Sequence, residues 1–273
     1  ENGTRRRAVR TLQIFLATLL EYDRPLPPGF VITLPKVTSA AQVSAMAVLC
    51  ERMDEAFGIG SPRRLAFEIQ VETPQAILGA DGAATIARCV HATDRLSGLH
   101  YGTYDYSAAL GIAGPYHSME HPAADYAKAV MQVAAAGTGV QLSDGSTSVL
   151  PVGTGDEVIA AWRLHYRLVR RSLERGFYQG WDLHPAQLVT RFAATYAFYR
   201  EGLPAAAARL RDAARRSATA QEEPATIRAL ADFLCRALDC DALSETELTE
   251  LTNLTAAQLR SARRRGIIPE RGP

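Results

Sequence analysis

Leu65-Ala66-Phe67-Glu68-Ile69-Gln70-Val71-Glu72-Thr73-Pro74 is the stretch that decides the fold. Apolar Phe67, Ile69 and Val71 alternate with Glu68, Gln70 and Glu72, the two-residue period of a strand with one apolar and one polar face. Four further runs of strand length flank it: Phe30 to Leu34, Leu99 to Tyr104, Gly139 to Leu142 and Phe177 to Trp181. Their starts lie roughly 35 to 40 residues apart, the span of a βαβ unit. Helical signals fill the gaps. Ser39 with Gln42 reads as a capping box for a helix closed by Gly58; Pro122 opens a second helix that Gly137 ends. Thr154 with Glu157 caps a third, with Val158, Trp162, His165, Leu168, Val169 and Leu173 as its stripe and Gly176 as its stop. Strand–helix alternation of this kind predicts an α/β fold, a parallel sheet covered by helices.

Five such units make either an open doubly wound sheet or the last five-eighths of a (β/α)8 TIM barrel. The chain opens on Glu1 and not on Met, and the expectation is a fragment whose N-terminal part, needed to complete a barrel, is missing. After Arg200 the character changes. An Ala/Arg-rich stretch runs to Ala220, Pro224 interrupts it, Ser244 with Glu247 caps another helix, and Arg263, Arg264 and Arg265 lie near the end. The expected division is a partial barrel over 1–203 and a helical C-terminal extension over 204–273.

The 273 residues carry 30 Lys plus Arg against 29 Asp plus Glu, a net charge of +1. That balance gives no electrostatic reason to bind nucleic acid or an anionic membrane. The apolar run from Leu12 to Leu20 is too short to span a bilayer. Four cysteines do not make a disulfide framework, and Cys235 with Cys240 lacks zinc spacing, so reduced thiols in a cytoplasmic protein are expected.

The working face of such a fold lies at the carboxyl ends of the strands. Lys36, Glu72, Asp105, Asp144 and Asp182 each follow one of the five runs. Loop carboxylates are also turn formers and caps: Asp144 begins an Asp-Gly turn, and Asp182 and His184 flank Pro185 before a helix. Glu72 stands apart, because three polar residues on one face of a buried strand require a polar site or strong pairing. Two carboxylates from neighbouring strand ends suit Mg²⁺, a hard cation that takes oxygen ligands and an incomplete protein cage. No HxxxH or HExxH spacing points to zinc or iron. His165 reads as a packed or surface histidine, His121 as preceding a helix, and His100 as either lining the site or satisfied in the core.

Leu34-Pro35-Lys36-Val37, Gln70-Val-Glu-Thr-Pro-Gln75, His100-Tyr-Gly-Thr-Tyr-Asp-Tyr106 with Leu110-Gly111, and Gly180-Trp-Asp-Leu-His-Pro185 followed by Gln187 occur in that order. Together, from about Arg5 to about Leu238, they resemble a bacterial branch of the aldolase/citrate lyase β-subunit family (HpcH/HpaI-like), in the phosphoenolpyruvate/pyruvate barrel superfamily. The resemblance implies a TIM barrel of which strands four to eight are present. It implies Glu72 and Asp105 as ligands of Mg²⁺ or Mn²⁺, and Lys36, Gln70, Gly102, Thr103, Tyr104 and Trp181 as substrate-binding residues. Catalytic roles fall to Asp144, Asp182 and Glu222, the last at the position where relatives place an Asp that reaches a neighbouring subunit's site. A homo-oligomer is therefore expected. The implied reaction is cleavage or formation of a carbon–carbon bond in a 2-oxo acid or acyl-CoA through a metal-stabilised enolate. The family's early acidic segment and substrate-binding Arg have no counterpart here. The alternatives are a phosphoenolpyruvate-using phosphoryl-transfer enzyme on the same barrel, for which Lys36 is nearly the only basic group at the rim, and a catalytically silent fragment or binding protein.

Overall fold

The computed structural model describes residues 2–22, 25–216 and 223–268. In chain order the elements are α1 (Asn2–Tyr22), β1 (Val31–Leu34), α2 (Ala40–Phe57), β2 (Ala66–Val71), α3 (Pro74–Ile77), α4 (Thr85–Val90), β3 (Leu96–Tyr101), α5 (Thr103–Ala109), α6 (Pro122–Ala135) and β4 (Gln141–Asp144). They continue with α7 (Gly155–Glu174), β5 (Gln179–Gly180), α8 (Leu188–Arg216), α9 (Pro224–Asp239), α10 (Glu245–Thr252) and α11 (Ala256–Arg265). Short 3₁₀ turns lie at Gly114–Tyr116 and Pro185–Gln187.

All five strands run parallel, in the order β1-β2-β3-β4-β5. The α/β class and the parallel sheet are thus as the sequence predicts. The alternation in β2 is realised: Phe67, Ile69 and Val71 are buried, while Glu68 and Gln70 on the other face are intermediate. The apolar face of the sheet, with Leu99 and Tyr101 of β3, packs in one core with Val43, Cys50 and Met53 of α2, Ile86 and Cys89 of α4, and Ala127 and Met131 of α6. Burial pushes the thiols of Cys50 and Cys89 up to about 11, which keeps both protonated and inert.

The punctuation also holds. Gln42 Oε1 accepts from Ser39 N at 3.2 Å, and Gly58 closes α2 at φ 65°. Pro122 is the first residue of α6, and the Thr154–Glu157 capping box opens α7. At the amino ends of the strands Asp54 joins three segments. Its Oδ1 accepts from Leu65 N at 3.0 Å, and its Oδ2 meets Arg95 at 2.6 Å, while Arg95 also donates to Leu65 O at 2.9 Å.

β1 and β2 each start one residue later than the sequence reading, and three strands differ by more. The third strand is Leu96–Tyr101 and not Leu99–Tyr104, so Tyr104 and Asp105 belong to the first turn of α5. The fourth is shifted two residues on, to Gln141–Asp144, which puts Asp144 inside the sheet. The fifth keeps only Gln179 and Gly180 of the expected run.

The described residues form two compact units, Glu1–Ser148 with Gly176–Leu183, and Val149–Arg175 with His184–Pro273. The first holds the sheet. The second is helical: α8 to α11 share a core around Leu210, Leu234, Leu248 and Leu259, and Val169 and Leu173 of α7 pack on Ala194 of α8. His165, buried on α7, bonds Thr190 Oγ1 at 2.7 Å, the role of a packed histidine. No described helix is long and apolar enough to cross a membrane.

Candidate active site

The polar face of the sheet and the segments that follow its strands bring Lys36, Glu72 and Asp105 together. Glu72 follows β2 directly and is 3% exposed. Its Oε1 accepts from the backbone N–H of Lys36 at 2.8 Å. Lys36 sits just beyond β1 at φ 54°, a left-handed conformation that costs a lysine about 1 kcal/mol or more and that its neighbours must hold in place. Its Nζ lies 2.6 Å from Asp105 Oδ2 and 3.8 Å from Glu72 Oε1. Asp105 enters from the first turn of α5, immediately after β3.

Gly102 makes this approach possible. It continues the β2–β3 ladder, donating its N–H to Val71 O at 2.9 Å, and a Cβ there would lie 2.5 Å from Glu72 Cβ. No side chain larger than hydrogen leaves Glu72 where it is. On the other side of Glu72, Thr73 Oγ1 donates to Val37 O at 2.5 Å, which ties the segment after β2 to the one after β1.

The two carboxyl groups are driven in opposite directions. Burial raises Glu72 above the ordinary range, opposed by the Lys36 N–H and reinforced by the adjacent Asp105. Asp105 is held below its ordinary range, first by the Lys36 ammonium and against a smaller burial effect. The pair titrates as a unit. Two carboxyl groups this close are relieved by a shared proton or a cation between them, and in this structure the Lys36 ammonium lies against both.

The remaining expected residues are placed as follows. Gln70 is half-buried on the same face of β2 as Glu72, and Thr103 is buried at the start of α5. Tyr104 on α5 takes a hydrogen bond on its hydroxyl from Ser148 N, which docks the 145–148 loop beside Asp105. Asp144 is 1% exposed and lies 3.1 Å from Lys128 Nζ of α6, while its Oδ1 accepts from Gly145 N at 2.8 Å. Trp181 and Asp182 are half-buried just past β5. His184 Nδ1 accepts from Ala186 N at 3.1 Å and caps the turn before α8. Glu222 lies outside the described residues.

Sequence reasoning found the polar face but not how Glu68 is paired. Thr33 Oγ1 donates to Glu68 Oε1 at 2.8 Å, and His100 Nε2 lies 2.5 Å from Glu68 Oε2. His100 therefore lines the polar face and lies against Glu68 there. Burial works to raise the Glu68 carboxyl, but the bonds from His100 and Thr33 outweigh it and hold the group below the ordinary range. A carboxyl depressed on folding stabilises above its unfolded pKa of about 4.3 and loses that contribution as pH falls through the folded value. Glu68→Gln is expected to flatten the acid limb of the thermal stability curve. The parent should exceed the variant near neutrality, with the gap closing as pH falls below about 4.3. A gap of constant size across that range would remove Glu68's charge from the account.

A family model described as "Domain of unknown function (DUF6986)" matches residues 1–267. The chain belongs to the DUF6986 family. No curated protein matches this DUF6986 chain. Solved structures do. A citrate lyase from Burkholderia xenovorans LB400 is 21% identical, with a TM-score of 0.62, over 81% of this chain and 67% of that one. RipC from Yersinia pestis is 22% identical with a TM-score of 0.46, over 62% of this chain and 64% of that one. The citrate lyase β subunit of M. tuberculosis, complexed with oxaloacetate and magnesium, is 21% identical with a TM-score of 0.44, over 60% of each chain. The chain thus spans 60 to 67% of the length of these proteins. The Burkholderia structure shows that the DUF6986 chain has a citrate-lyase-like fold, the family that the ordered motifs resemble.

Proposed function

We propose that this DUF6986 chain belongs to a divalent-metal-dependent carbon–carbon lyase or aldolase acting on a 2-oxo acid or an acyl-CoA. The observation that carries the reading is the convergence of Glu72 and Asp105 around one cationic point, Lys36 Nζ. The donor set fits Mg²⁺ or Mn²⁺. Both ligands are hard oxygens, one of them almost fully buried, and an ammonium already balances their charge. Among the described residues no group of three or more His, Cys, Asp or Glu could hold a metal, so the remaining positions fall to water and substrate oxygens. A bound divalent cation supplies positive charge against the negative charge that develops on an enolate oxygen.

The protein's own groups do the rest. Lys36, whose Nζ is exposed at the rim, would offer a mobile ammonium to a substrate carboxylate. Gly102 and Thr103 let the backbone approach closely, Tyr104 fixes the 145–148 loop, and Gln70 and Trp181 face the substrate. Asp144 acts through its bond to Gly145, Asp182 supplies an acid–base group, and Glu222 is the contribution to a neighbouring copy's site. Sequential parallel order without reversal supports a partial (β/α)8 barrel over a doubly wound sheet, which needs a switch in strand order. A cytoplasmic homo-oligomer completes the reading.

Mg²⁺ or Mn²⁺ added to chelator-treated protein is expected to raise its Tm, by about 2.7 kcal/mol of stability at a hundredfold excess over Kd. The full-length parent should release pyruvate or cleaved acyl-CoA only with metal present. An unchanged Tm together with metal-independent turnover would overturn the reading.

A further inference from the structure

The polar face of the sheet repeats one geometry in two layers. In the upper layer Glu72 leans over Gly102 of the next strand's end, flanked by Lys36 and Asp105. In the lower layer Glu68 lies over Gly98, where a Cβ would sit 3.4 Å from both Glu68 Cβ and Oε2. Thr33 and His100 flank Glu68, as Lys36 and Asp105 flank Glu72 above. The lower layer has one further member, because Trp181 Nε1 donates to His100 Nδ1 at 2.9 Å, with the two rings 5.2 Å apart.

An indole N–H can only donate, so Nδ1 is the acceptor and the imidazole proton sits on Nε2, facing Glu68. Two hydrogen bonds and the close Glu68–His100 ion-pair contact form one line, Thr33–Glu68–His100–Trp181, from β1 across β2 and β3 to the residue after β5. His100 is 9% exposed, with Trp181 bonded at Nδ1 and Glu68 Oε2 lying 2.5 Å from Nε2. Such a chain has no vacant atom for a reactant; what it delivers is orientation. Register gives the direction. Ser143 pairs with both His100 and Gln179, so Gly102 and Trp181, each two residues further on, reach the same level of the sheet. Trp181 therefore stands at the level of Gly102 and Glu72. With its N–H turned to His100, it has only ring surface to offer.

We propose that Thr33, Glu68 and His100 are positioning residues that lock the Trp181 indole as an aromatic wall of the Glu72–Asp105 site, favouring substrates with a flat or apolar group beyond their acid end. The purpose of the wall rests on the lyase reading; the lock itself does not.

Trp162→Phe leaves Trp181 as the single tryptophan. In that background, without metal or substrate, His100→Leu is expected roughly to double acrylamide quenching of Trp181 by freeing the indole. His100→Gln, which keeps one acceptor and one donor, should restore the parent value. Histidine side-chain ¹⁵N NMR of the unsubstituted protein should show the His100 ring as the Nε2–H tautomer, the signal being assigned by its loss in His100→Gln. In the full-length parent, His100→Leu should raise KM about tenfold while kcat changes little. Equal quenching in His100→Leu and its background, failure of Gln to restore it, or an Nδ1–H tautomer overturns the lock. If turnover is absent altogether, the lyase reading fails and the quenching result still decides the lock. An unchanged KM with the lock intact removes the wall from the substrate's path.

Discussion

Glu72→Gln is expected to abolish the proposed stabilisation by Mg²⁺ or Mn²⁺ and to lower the proposed metal-dependent turnover by at least about a hundredfold, the upper end of what loss of a mere supporting partner costs. The substitution is nearly isosteric. Gln retains a carbonyl oxygen that can accept from Lys36 N, and it still fits over Gly102, so the local path of the chain is preserved. What disappears is a charge in a site that burial already penalises. The metal-free variant should therefore be as stable as the parent or slightly more so. This separates loss of a ligand from loss of the fold: an equal or higher Tm without metal, and no rise on adding it. Lysine 36 gives the complementary result. Lys36→Met removes the ammonium that competes for Asp105, so metal should bind more tightly while substrate affinity falls. Titration calorimetry with Mg²⁺ alone and thermal melts on the same samples measure both. A parent-like metal response in Glu72→Gln takes Glu72 out of the ligand set.

The difference between what the sequence announced and what it hid follows from the range of each interaction. Strand β2 was legible because one face is apolar and the other polar, so its period of two survives in the residues themselves. The capping boxes at Ser39 and Thr154 were legible because cap and partner lie three residues apart. Strand β3 was misplaced by three residues because Gly98, Leu99, His100 and Tyr101 are all buried, on both faces, and the alternation vanishes. Gly102 ends the strand and α5 begins at once, so Tyr104 and Asp105 lie in its first turn. Glu72 and Asp105 could be paired from their places after neighbouring strands. The partners of Glu68 could not, since Thr33 and His100 lie 35 and 32 residues away in sequence and only the register brings them opposite it. For Asp144 the sequence offered an Asp-Gly turn, and the structure adds a lysine 16 residues earlier.

That lysine carries the largest expected loss of stability. Lys128 is 3% exposed in the sheet-bearing unit, where its Nζ donates to Met119 O at 2.7 Å and to Asp144 Oδ2 at 3.1 Å and lies 3.8 Å from Asp125 Oδ1. The rings of Tyr101 and Phe177 stand 5.7 and 5.8 Å from the ammonium, so aromatic faces supply part of its lost hydration. Lys128→Met fills much of the same volume but leaves the 1% exposed Asp144 carboxylate without its cation, a change that costs about 3–5 kcal/mol. Because Asp144 also holds Gly145 N, the strain should pass into the 145–148 loop that Tyr104 docks beside Asp105. Pairing Lys128→Met with Asp144→Asn tests the electrostatic origin. Asn keeps an acceptor for Gly145 N and needs no cation, so the double variant should recover most of the loss. Denaturant unfolding of the parent, both single variants and the double variant closes the cycle. If the two losses simply add, the lysine acts through its stem and its bond to Met119, and charge pairing with Asp144 is not what holds the end of β4 in place.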